Sequence, residues 1–243
     1  MTCCWFDYWN RAPGPASGGE DDYLTWFLRR VRAHDERVGR RTLHLLDVHY
    51  YPQGDVYNDV ADAPTGARRL RSTRSLWDPT YEDESWIDEP IRFVPRMREV
   101  ITAAYPGTGL AVSEWNFGAD TTMNGALAIA DVLGIFGREG VQLAAYWRHP
   151  AAGSPGYFAF KMHGNYDDAG SSFGGTAVAA TTSDVDVPVG VDGIGLEPSA
   201  TLHRYSPEEP TRIVRREVRI GRNSFTLRLP ASSITLVELT FAG

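Results

Sequence analysis

The sequence predicts an α/β fold of parallel strands and crossover helices over residues 1–150, followed by a small β-sandwich over 151–243. Three observations carry it. Helix-like and strand-like segments alternate through the first part, the composition turns to Gly, Ser and Thr after residue 150, and residues 199–241 alternate apolar and polar with period two.

The chain opens on Cys3, Cys4, Trp5, Phe6, Tyr8 and Trp9 before a Pro/Gly/Ser segment. So aromatic a start reads as a strand end and binding loop of a longer protein. Residues 21–38 read as a helix, with Tyr23, Trp26, Phe27, Val31, His34 and Val38 on one face. Glu20, Asp21 and Asp22 suit its positive end and Gly39 its stop. Leu43 to Tyr51 is a short buried-type strand stopped by Pro52. An irregular stretch rich in Arg, Asp and Trp runs to about residue 88. Pro90 opens the next helix, with Ile91, Val94, Met97, Val100 and Ile101 inward, and Tyr105-Pro106-Gly107 ends it.

Leu110 to Trp115 is a second strand. Residues 123–138 form a helix that is apolar nearly all round, the mark of a buried helix. Leu143 to Trp147 is a third strand. This order implies parallel strands joined by crossovers. No helical pattern appears between 150 and 195. Phe225, Leu227 and Leu229 then mark one antiparallel strand, and Ile234, Leu236 and Val237 another, after Pro230 to Ser233.

With 243 residues, 42% hydrophobic and 23% charged, the chain has the material for a real core. A formal charge of -7 argues against nucleic acid, which needs a positive face. Arg215, Arg216, Arg219 and Arg222 alternate with apolar residues as a solvated strand face does. No apolar run is long enough to cross a membrane, so no membrane partner is expected. The N-terminus has neither the basic nor the apolar region of a signal peptide. Cys3 and Cys4 are adjacent, which disfavours their pairing and gives no zinc spacing. Neither metal nor cofactor is expected.

Glu114 is the sharpest chemical signal. It ends a strand and precedes Trp115, Asn116, Phe117 and Gly118. A carboxylate at the C-terminal end of a parallel strand points to where such folds keep their active sites. A lone Glu there serves equally as an ion-pair or capping residue, but aromatic and amide neighbours suit a sugar site. His49, Tyr50 and Tyr51 end the first strand and Trp147 the third, so three strand ends deliver polar or aromatic groups to one side.

Several longer runs resemble glycoside hydrolase family 44. They are Asp47 to Gln53 (DVHYYPQ), Leu70 to Tyr81 (LRSTRSLWDPTY), Asp83 to Ile87 (DESWI), Asn124 to Gly140 (NGALAIADVLGIFGREG), Gly156 to Phe160 (GYFAF) and Asn165 to Asp167 (NYD). The resemblance runs from about residue 20 to the end. It implies a (β/α)8 barrel, of which residues 1–150 are the C-terminal part, and a β-sandwich over 151–243 that is shortened between Thr182 and Leu196. It implies a secreted, retaining endoglucanase or xyloglucanase acting on β-1,4-glucans. Ser113 to Gly118 matches the segment that carries the family nucleophile, so that role falls on Glu114. His49, Tyr51, Trp77, Asn116 and Trp147 are the expected sugar-binding residues. No residue matches the family's acid/base, a Glu after an Asn, so the chain alone is expected to show little activity. The alternatives are a non-catalytic glucan-binding remnant and a gene fragment without a role.

Overall fold

The computed structural model describes residues 22–172, 177–191, 195–221 and 224–241. The expectations for the aromatic start, the two cysteines and Arg222 lie outside them. The chain divides into two compact units. One comprises Met1–Tyr57, Arg71–Phe117 and Ile135–Arg148, the other Asn58–Leu70, Gly118–Gly134 and His149–Gly243. Among the described residues no helix is long and apolar enough to cross a membrane.

In the first unit, helix α1 spans Tyr23–Val38. Asp22 caps it, accepting from the Thr25 amide (2.9 Å) and hydroxyl (2.6 Å), and Gly39 closes it at φ 70°. The face it buries differs from the expected one. Leu24, Leu28 and Asp35 are buried, while His34 is exposed and Val38 is 44% exposed. Hydrophobicity alone could not pick out Asp35. It turns inward because the Thr42 amide (2.7 Å), the Thr42 hydroxyl (2.6 Å) and the Tyr105 hydroxyl (2.7 Å) all donate to it.

Burial pushes the Asp35 carboxyl up, but the hydrogen bonds from Thr42 and Tyr105 outweigh it and hold the group well below the ordinary carboxylate range. A depressed folded pKa stabilises above the unfolded value, near 4, and that stability is lost as pH falls through the folded one. Asp35→Asn is therefore expected to lower the melting temperature at pH 7 by on the order of 5 °C. The deficit should narrow as the pH is taken below about 4. A melting curve unchanged at pH 7 would mean that the cluster holds nothing together.

Strands β1 (Leu45–Tyr50), β2 (Gly109–Trp115) and β3 (Leu143–Tyr146) form a parallel sheet in the order β1-β2-β3. Helix α3 spans Phe93–Ala104. Tyr50 packs on Phe93 at 4.9 Å between ring centres, and Trp115 on Phe136 at 5.4 Å. The helix-facing side of the sheet is thus Leu46, Val48, Tyr50, Val112 and Trp115, all buried. The expected start of α3 at Pro90 moves to Phe93, because Arg92 takes a left-handed conformation at φ 46° and Arg96 ties back to the Pro90 and Ile91 carbonyls.

The stretch before residue 88 is less irregular than expected. It holds helix α2, Ala63–Ser72, continued by a 3-10 turn, Thr73–Leu76. Gly66 and few apolar residues hide this helix from a periodicity reading, yet its start is marked: Asp62 accepts from the Thr65 amide (3.0 Å) and Pro64 sits in the first turn. The acids that follow organise the loop. Asp78 accepts from Thr80 and Arg74, Asp83 from Ser75 and Ser85, and Glu84 from Arg71 and Tyr81. Helix α4 is Met123–Arg138 as expected, buried along Ala126 to Ala130 and at Val132, Ile135 and Phe136.

In the second unit, a helix appears where none was expected. Helix α5, Pro155–His163, starts on Ser154, whose side chain accepts from the Tyr157 amide, with Pro155 in its first turn. At nine residues it is short, and its buried side, Phe158, Ala159 and Met162, spans barely two turns. Six antiparallel strands follow: β4 (Ala177–Thr181), β5 (Val185–Gly190), β6 (Leu196–Tyr205), β7 (Val214–Arg219), β8 (Ser224–Leu229) and β9 (Ser233–Phe241). They form one sheet in the order β4-β9-β6-β7 and a pair, β5-β8. Ala200, Leu202 and Val237 of the first share one apolar cluster with Leu227 and Leu229 of the second. Arg215, Arg216 and Arg219 lie exposed on β7.

Candidate active site

The site is built at the C-terminal ends of β1, β2 and β3. In a regular strand, side chains alternate between faces. Asp47 and His49 on β1 therefore share the face opposite Val48 and Tyr50. On β2 the same rule would send Ser113 and Trp115 to that face and Glu114 to the helices. The pairing breaks instead. Val48 pairs with Val112, but His49 pairs with Glu114 and Tyr50 with Trp115. On the other edge Val112 pairs with Ala144 and Trp115 with Tyr146. Ser113 is thus an extra residue, a bulge, and bulges re-aim side chains. From here on Glu114 shares the face of His49, and Trp115 turns back to the helices, where it is fully buried.

Around Glu114 the groups converge. His49 Nδ1 lies 3.1 Å from Glu114 Oε2, although out of line for a hydrogen bond. The Tyr51 hydroxyl donates to the same oxygen at 3.3 Å. Burial first, and then the Glu114 carboxylate, push the Tyr51 hydroxyl's pKa up, so it remains a proton donor across the neutral range. The Glu114 side chain is 24% exposed and that of His49 4%, so the carboxylate is open to a ligand and the imidazole is not. Beneath them the Asp47 carboxylate accepts from the Ser113 amide at 2.9 Å and the Ser113 hydroxyl at 2.6 Å. The Ser113 hydroxyl also lies 3.4 Å from His49 Nε2.

Trp147 follows β3 directly. Its amide donates to the Trp115 carbonyl (3.0 Å), and its carbonyl accepts from the Asn116 side-chain amide (3.0 Å). Asn116 is buried, while Trp147 is 45% exposed. Asn116 therefore fastens the backbone of an indole that faces solvent.

Trp77 is not brought to this cluster. The Arg138 guanidinium lies 4.3 Å over its ring. Arg138 ends α4, five residues before β3 begins. In sequence Trp77 stands among family-like residues, and nothing local tells that its ring meets Arg138. Ser113 was the residue that strand-end reasoning passed over. Its only trace in the sequence is a pair of polar residues, Ser113-Glu114, inside an otherwise apolar strand.

The sequence signature described as Glycoside hydrolase family 44 matches residues 1–54. Endoglucanase A of Paenibacillus lautus is 34% identical over 204 residues, covering 79% of this chain and 29% of that protein. A solved bifunctional glucanase–xylanase from a metagenome library is 34% identical with a TM-score of 0.86, covering 92% of this chain and 49% of its own. A family 44 xyloglucanase of Paenibacillus polymyxa is 26% identical with a TM-score of 0.79, covering 93% of this chain and 52% of its own. The chain thus spans under a third of the curated relative and about half of each solved one.

Proposed function

Because the chain belongs to glycoside hydrolase family 44 and covers part of that family's enzyme, we propose that it supplies the nucleophile half of a retaining β-1,4-glucan hydrolase. The observation that carries this reading is the Glu114 carboxylate, open to solvent at a parallel strand end and gripped from one side by His49 and Tyr51. Residues 1–150 are then the C-terminal part of a (β/α)8 barrel and 151–243 a shortened β-sandwich. The whole protein is secreted and takes a β-glucan of the cellulose or xyloglucan type.

Both Glu114 contacts fall on Oε2, which leaves Oε1 to attack the anomeric carbon. The new carbon–oxygen bond forms as the glycosidic bond breaks, and the departing oxygen takes a proton from an acid carboxyl about 5–5.5 Å away. Water, deprotonated by that same group, then displaces Glu114. Tyr51 donates to Oε2 throughout, and that oxygen becomes the ester carbonyl of the intermediate. The acid is supplied from outside residues 1–243. Asp78 is held down at about 2 by the Thr80 amide and hydroxyl and by Arg74, so it carries no proton to give near neutrality. Glu84 is clamped by Arg71 through two bonds of 2.7 Å, and Asp47 is engaged by Ser113.

Trp147 stacks on a pyranose face. This is tested by joining the chain to the unmatched part of the glucanase–xylanase relative. There, Trp147→Ala is expected to weaken cello-oligosaccharide binding by about ten-fold, on the order of 1 kcal/mol, with little change in melting temperature. Trp77→Ala should do the reverse, lowering the melting temperature and leaving binding alone. Binding insensitive to Trp147 would remove the stacking role. Binding that depends on Trp147 in an enzyme that never forms a covalent intermediate would favour the glucan-binding remnant.

A further inference from the structure

We propose that Asp47 is a positioning residue: by clamping Ser113 into the bulge of β2, it decides which face of the sheet the nucleophile occupies. The catalytic consequence rests on the reading of Glu114 given above, whereas the clamp stands on geometry alone.

A bulge inserts one residue into a strand and leaves that residue outside the regular ladder. Its amide then needs another acceptor, since an unsatisfied buried N–H is costly. Here the acceptor is Asp47 Oδ1, 2.9 Å from the Ser113 amide, while Oδ2 takes the Ser113 hydroxyl at 2.6 Å. Asp47 is the β1 partner of Ala111, two positions before Ser113 on the same face, so its carboxylate reaches forward along β2. A two-oxygen acid meeting an adjacent N–H and O–H fixes both the position and the rotation of that residue.

The consequence follows from period two. With Ser113 held as the extra residue, Ser113 and Glu114 address one face in succession, and His49 comes opposite Glu114. Without the bulge, regular alternation would put Trp115 on the ligand face and Glu114 among Phe136 and the other helix-facing side chains. Burying an unpaired carboxylate there is unfavourable. Loosening the clamp therefore leaves the strand two poor choices, and Glu114 loses its fixed aim.

The test uses the chain as it is, residues 1–243, and a 2-deoxy-2-fluoro-β-cellobioside with a dinitrophenolate leaving group. That leaving group departs without protonation, so no acid is needed. Labelling of the Glu114 peptide is followed by mass spectrometry, with the maximal rate separated from the half-saturating concentration. Amide exchange at Ser113 is read in parallel. Asp47→Ala should slow maximal labelling by roughly 10²-fold, with half-saturation little changed. It should also expose the Ser113 amide while the Ala111 and Val112 amides stay protected. Asp47→Asn keeps an acceptor for the amide and should restore much of the rate. Ser113→Ala, which keeps the amide bond and removes the hydroxyl's contacts with Asp47 and His49, should fall between and serves if Asp47→Ala does not fold. Labelling at the wild-type rate in Asp47→Ala, or a Ser113 amide that stays protected there, overturns the proposal. If the wild-type chain takes no label at Glu114, the nucleophile reading fails, and the Ser113 exchange still decides the clamp.

Discussion

Mass spectrometry of the joined enzyme, treated with a 2-deoxy-2-fluoro glucoside, is expected to place the label on Glu114, and Glu114→Gln to cut turnover by roughly 10⁴–10⁶-fold. The size follows from what is lost. A carboxamide is a poor nucleophile, and no neighbour is placed to replace it. Asp47, the other carboxylate on this face of β1 and β2, has both oxygens engaged by Ser113. The substitution is nearly isosteric, and Tyr51 can still donate to the amide oxygen, so folding should survive it. Substrate affinity should therefore change far less than turnover. Label on a different carboxylate, or a Glu114→Gln enzyme retaining a tenth of its turnover or more, would sink the assignment.

Residues 1–243 expressed alone are expected to hydrolyse xyloglucan and carboxymethyl cellulose at least 10²–10⁴-fold more slowly than the joined enzyme, roughly the contribution of a positioned general acid. The dinitrophenyl glycoside should be affected much less, because its leaving group needs no proton. This contrast separates a missing acid from a collapsed site. The physical ground is the state of the carboxylates present: Asp78 ionised and tied to Thr80 and Arg74, Glu84 ion-paired with Arg71, Asp47 bonded to Ser113. The parallel sheet gives a second reason. Leu143 is 47% exposed on β3, and Ala144 and Ala145 are exposed beside it, an edge suited to pairing with further chain. Size-exclusion chromatography of residues 1–243 should accordingly show self-association. A monodisperse monomer that hydrolyses polysaccharide, and loses this with Glu114→Gln, would show that one of these carboxylates does act as the acid.

Much of the architecture could be read from local pattern. The apolar runs at Leu45–Tyr50, Gly109–Trp115 and Leu143–Tyr146, and the all-apolar helix between the last two, needed only length and periodicity. The period-two segments ending the chain likewise became β8 and β9. Local pattern failed where the deciding partner is distant. Asp35 turns into the core because Thr42 and Tyr105 meet it there, seven and seventy positions away. The helices Ala63–Ser72 and Pro155–His163 were missed because they are short and their apolar stripes barely repeat.

The sequence by itself determined which groups stand at the strand ends: His49 and Tyr51 after one apolar run, Glu114 after the next, Trp147 after the third. Strand polarity and length are enough for that, because a parallel sheet brings equivalent ends together. Only the tertiary structure decided which way those groups face. The alternation in β2 points Glu114 at the helices, and it turns to His49 and Tyr51 only because Ser113 is displaced into a bulge that Asp47, sixty-six positions earlier, holds in place. Trp77 is a second case: a residue of suitable type whose ring meets Arg138, sixty-one positions later. In both, a contact between residues far apart in the chain fixes a direction, and composition and periodicity carry no information about such contacts.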